Sequence, residues 1–117
     1  MWVVGVGASA GGIEALRELL PVLPKGNLAY VVAQHMSPVH PSLLIQVLAR
    51  ETELEVAEIS DGMPLRNGVI FVAAPNSDVR LVGNTLRTET AEPRISPQPS
   101  IDNLLESIAD QFGKFSV

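Results

Sequence analysis

Residues 2–6, Trp-Val-Val-Gly-Val, are apolar without alternation, and a turn of glycines and small residues leads from them straight into a helical pattern. A strand with no polar face must be covered on both sides, as in an α/β sheet flanked by helices. The helix is predicted over about residues 12–20, with Ile13, Leu16, Leu19 and Leu20 on one stripe. Pro21 and Pro24 end it, and Lys25, Gly26 and Asn27 turn the chain into a second apolar run at 28–33. Two such strands joined by one helix form a right-handed βαβ unit. Ligands of these sheets sit beyond the carboxyl ends of the strands. That rule sets the turn around Ser9 and the segment Gln34-His35-Met36 along one edge.

Further along, Ser37 to Pro41 is a proline-stiffened connection and 42–50 a second helix carrying Leu43, Leu44, Val47 and Leu48 on its apolar face. Residues 54–59 alternate as a short strand with Leu54, Val56 and Ala57 inward. Asp61-Gly62 and Asn67-Gly68 are turns around residues 63–66, and 69–73, Val-Ile-Phe-Val-Ala, is a third fully apolar strand. Residues 78–82 and 85–88 form a hairpin across Gly83-Asn84, a favoured two-residue connection. The proline-bearing stretch 89–99 is a loop, 100–112 a third helix with Ser100 as N-cap and Gly113 as its stop, and Phe115 opens another strand. The fold class expected is α/β, a doubly wound, mostly parallel sheet with a β-hairpin. Residues 1–117 make one domain, cut off before its final strands. Met1 directly before a strand points to a domain taken from a longer protein.

The first turn carries chemistry. Gly7-Ala8-Ser9-Ala10-Gly11 fits G-x-S-x-G with a strand before it and a helix after it, the setting of a nucleophile elbow. A serine on so sharp a turn projects its hydroxyl outward, and the amide of Ala10 is placed to stabilise an oxyanion, aided by the positive end of the helix. Serine attack needs a base, and His35 follows the second strand on the same edge; His40 reads as a cap of the second helix. The competing readings are that Ser9 merely caps a helix and His35 is a satisfied polar residue at a strand end. A third is that Gly5-x-Gly7-x-x-x-Gly11 is a dinucleotide loop. The spacing is wrong for that loop, because position 10 is Ala, and no acid closes the second strand. A carboxylate to orient the base is harder to find: Asp61 and Asp78 are most simply turn residues.

Composition excludes several classes. The net charge is −5 with no Lys/Arg cluster, which makes nucleic acid and anionic membranes unlikely partners. With no cysteine there is no disulfide, thiolate metal site or cysteine nucleophile, and two histidines without an acidic cluster make a poor metal site. No transmembrane run or signal segment is present, so a cytoplasmic protein without membrane insertion is expected. Glu51, Glu53, Glu55 and Glu58 are a solvated charge run.

The opening from Val4 to Leu16 resembles that of CheB-type chemotaxis receptor methylesterases, in their catalytic domain. Further blocks match in order: Gln34-His-Met-Ser-Pro38, His40-Pro-Ser-Leu-Leu44, Glu58-Ile-Ser-Asp-Gly62, Gly68 to Pro75 and Pro99-Ser-Ile-Asp102. The likeness covers essentially the whole chain, and the wording at His40 to Leu44 is similar to versions fused to a receptor methyltransferase. The resemblance implies a serine hydrolase with Ser9 as nucleophile, His35 as base and Ala10 at the oxyanion, needing no cofactor and no metal. Its substrates would be glutamate methyl esters, and certain glutamines, on the cytoplasmic domain of chemotaxis receptors. A response-regulator domain often accompanies such a catalytic domain. The family's aspartate lies in a segment like G-x-G-x-D-G, and nothing in this chain matches it, so impaired catalysis is expected of the chain alone. A non-catalytic interaction or regulatory module of a signalling protein is the alternative.

Overall fold

The two apolar runs pair as read. β1 (Trp2–Ala8) and β2 (Leu28–Gln34) lie parallel, with Trp2 opposite Leu28 and Ala8 opposite Gln34. β5 (Val69–Val72) pairs with the other side of β2, and β3 (Glu55–Glu58) with the other side of β5, both in parallel. The sheet order is therefore β1-β2-β5-β3. Beyond β1, a parallel bridge joins Val3 to Ser116. The structure is a computed structural model and describes residues 1–8, 12–34, 41–73, 77–90, 101–113 and 116.

The helices α1 (Gly12–Leu19), α2 (Pro41–Ala49) and α3 (Ile101–Phe112) cover this sheet. Because strand side chains alternate between faces, the sheet separates two cores. Tyr30, Val32, Ile70 and Val72 pack with Leu16 of α1, Leu20 and Leu48 of α2 on one face. Val3, Ala29, Val31 and Phe71 pack with Leu104 and Ile108 of α3 on the other. That second face also receives Val79, Leu81 and Leu86 from a separate antiparallel sheet. Its strands are β4 (Met63–Pro64), β6 (Ser77–Val82) and β7 (Thr85–Thr90), in the order β4-β7-β6. The hairpin thus forms its own small sheet, turning at Gly83, whose φ of 61° is left-handed.

Several expectations need correction. Trp2 is 40% exposed and Val4 and Val6 are half-buried, because among the described residues β1 is bordered on one side by the single bridge at Ser116. Leu19 is at the surface too, leaving Leu16 and Leu20 as the buried anchors of the first helical segment. Pro21 does not stop the chain's helical course at once: residues Leu20–Val22 continue as a 3₁₀ turn, where proline sits in the first turn without loss of a hydrogen bond. Met63 and Pro64 form a strand rather than a plain turn segment; two residues give no periodicity to read. β7 runs on to Thr90, so Glu89 and Thr90 belong to the hairpin and not to the loop. Ser100 lies outside the described residues, whereas Gly113, with φ of 51°, ends α3 as expected.

Polar groups tie the layers together. Ser107 Oγ of α3 accepts the Leu81 amide at 2.9 Å and donates to the Leu104 carbonyl at 2.7 Å. Gln111 Oε1 accepts the Gly83 amide at 2.7 Å. Both amides belong to or follow β6, an edge strand, so α3 satisfies donors that its own sheet leaves open. The hydroxyl of buried Tyr30 donates to the Pro24 carbonyl at 2.8 Å, and burial raises its pKa above the ordinary 10.0.

Four stability experiments follow from this packing. Phe71→Ala, at a fully buried site, should cost about 3–5 kcal/mol in urea unfolding. Val22→Ala, 73% exposed, should stay within about 0.5 kcal/mol. Ser107→Ala strands the Leu81 amide and should cost about 1–3 kcal/mol; no measurable change would show that water replaces the hydroxyl there. The raised Tyr30 pKa means that the unfolded chain ionises first. Its contribution is complete below about pH 10 and is lost as pH climbs towards the folded value. Tyr30→Phe should flatten the alkaline limb of the stability profile while lowering stability by about 1 kcal/mol at neutral pH.

Candidate functional site

Ser9, Ala10, His35 and His40 lie outside the described residues. What the structure describes is the pair of strands that precede Ser9 and His35 in the sequence. Ala8 and Gln34, the last residues of β1 and β2, are direct partners in a parallel ladder. Neighbouring strands lie about 4.8 Å apart, so Ala8 and Gln34 end at adjacent points of the carboxyl edge of the sheet. β5 reaches nearly the same level: Val72 is opposite Val32, and the Ala73 amide donates to the Val32 carbonyl at 2.9 Å.

This point of the edge is special topologically. From β1 the chain moves outward to β2 and on to β3 at the far edge, with α1 and α2 on one face, and then steps back to β5 between them. It then returns over the opposite face through α3 and sets Ser116 on the far side of β1. The winding reverses at β1, and crevices at such reversals are where open α/β sheets bind ligands.

The glycine pattern is now interpretable as well. Gly5 and Gly7 are ladder residues of β1, opposite Val31 and Ala33. A dinucleotide loop uses its first glycine to make the turn after the strand, so the pairing speaks against that reading.

Other titratable groups are engaged elsewhere. Asp61 accepts the Thr88 amide at 3.0 Å, and its other oxygen is 3.9 Å from the Arg87 guanidinium, which joins the end of β3 to β7. β3 is three strand positions from β1, roughly 14 Å at ordinary spacing. Asp78 sits in β6 opposite Glu89. Asp61 is a turn residue as its context implied, whereas Asp78 is a strand residue of the hairpin rather than the turn residue expected. Glu51 pairs with Arg17 at 3.2 Å and Glu55 with Arg66. Among the described residues no group of three or more His, Asp or Glu could hold a metal ion, and no helix is long and apolar enough to cross a membrane.

Among the described residues, two clefts open on the surface away from the ends of β1 and β2. One, of about 470 Å³, lies between the segments that precede β2 and β3, lined by Leu23, Lys25, Arg50 and Leu54. The other, of about 290 Å³, is an acidic groove between the hairpin and α3. Sequence reasoning gave no signal for either, since each is assembled from segments distant in the chain.

The sheet, its reversal at β1 and the level ends of β1 and β2 define an α/β protein with a crevice-forming strand edge. The chain belongs to the CheB methylesterase family, whose model matches residues 4–117. It is 41% identical over 110 residues to protein-glutamate methylesterase/protein-glutamine glutaminase 3 of Pseudomonas aeruginosa, a match covering 92% of this chain and 33% of that one. The corresponding protein of Salmonella typhimurium is 28% identical over 119 residues, covering 98% and 34%. The crystal structure of the Thermotoga maritima CheB methylesterase catalytic domain superposes with a TM-score of 0.81 at 25% identity, covering 98% of this chain and 64% of that one. The chain thus spans about a third of the length of the curated relatives it matches.

Asp61→Asn tests the assignment of that aspartate to structure. It should lower stability by about 1 kcal/mol and leave the reactivity of Ser9 towards a fluorophosphonate unchanged. A loss of labelling in a folded variant would make Asp61 the missing acid.

Proposed function

We propose that this chain carries the nucleophile and the general base of a protein-glutamate methylesterase, with glutamate methyl esters on chemoreceptor cytoplasmic domains as substrates. The observation that carries the proposal is the register of β1 and β2, in which the residues before Ser9 and His35 are ladder partners. The names of the relatives, protein-glutamate methylesterase/protein-glutamine glutaminase, support the same reaction class.

The chemistry is acyl transfer in two halves. Ser9 Oγ attacks the ester carbonyl as His35 takes its proton, and the Ala10 amide steadies the oxyanion at the positive end of α1. Collapse breaks the ester C–O bond, and His35 returns the proton to the departing methoxide, giving methanol. Water, deprotonated by His35, then attacks the acyl-serine and releases glutamate. A glutamine substrate follows the same course with ammonia as the leaving group. No cofactor is required. The orienting carboxylate of the family matches no residue of this sequence. A strand running on from Ser116 in parallel with β1 would end beside Ser9, the place from which such a group reaches His35. A response-regulator or methyltransferase domain in the same polypeptide is the natural partner.

Loss of the orienting acid costs a serine triad about 10⁴ in rate, so covalent labelling is the more sensitive readout. A fluorophosphonate should modify Ser9, located by peptide mass spectrometry. Ser9→Ala should abolish the adduct, and His35→Gln should slow its formation by about 10²–10⁴. Methanol release from methylated receptor should fall in parallel. Undiminished labelling in Ser9→Ala would overturn the proposal; receptor binding without labelling or turnover would favour an interaction module.

A further inference from the structure

We draw no further inference here: the strongest candidate, the acidic groove between the hairpin and α3 lined by Asp78, Glu89, Glu106 and Asp110, is a cluster of carboxylates beside Arg80, and nothing in the structure shows what occupies it.

Discussion

The parallel pairing of β1 with β2 is the constraint on which the rest of this structure depends. A parallel ladder fixes register residue by residue, because a slip of one position would send every side chain to the opposite face. Here such a slip would move Tyr30 and Val32 out of the α1 and α2 side and push Ala29 and Val31 into it. The penalty is several buried side chains at roughly 1.5–3 kcal/mol each, so hydrophobic patterning holds the two strand ends level. The level of those ends is seen in Ala8 and Gln34, the last ladder partners of the two strands. Packing deep in the sheet therefore governs geometry at its edge, with no need for a dedicated contact between the two loops.

The rest of the molecule serves that edge. α1 is anchored through Leu16 and, beyond its end, Leu20, both nearly inaccessible. α3 performs the return crossover and, through Ser107 and Gln111, fastens the hairpin sheet to the same face. β3 closes the far side of the sheet with Glu55 and Glu58 exposed; charged residues on an edge strand discourage pairing with other chains.

Much of this was legible in the residues themselves. The continuous apolar runs at β1, β2 and β5 announce strands covered on both faces, and the turns at Gly62, Gly68 and Gly83 fall where Asp-Gly, Asn-Gly and Gly-Asn stand. Legibility fails where burial depends on neighbours rather than on local pattern. Trp2 is apolar yet exposed, since what covers it is decided by whatever borders β1. β4 is too short for a period, and its Pro64 argues against a strand unless one side is free of ladder bonds. Pro21 signals a stop, but position matters more than identity, and a 3₁₀ turn accepts it. For the site, the strand-end rule leads to the expectation of Ser9 and His35 on one edge; the structure describes the ladder partners Ala8 and Gln34 before them, while the two residues themselves lie outside the described residues. The reversal of winding at β1 could not be read, because it requires knowing that Ser116 returns to β1's open side.

The division of the interior into two cores has a consequence for how such a sequence can drift. The two clusters share no residue, and the sheet backbone stands between them. Changes among Tyr30, Ile70, Leu16 and Leu48 re-pack the α1 and α2 side alone. Changes among Phe71, Leu104, Val79 and Leu86 re-pack the side of α3 and the hairpin. Each half can be renovated in its own time, with the ladder as a fixed wall between them. A lineage could thus remodel the hairpin face to suit new neighbours while the ends of β1 and β2 stay where they are.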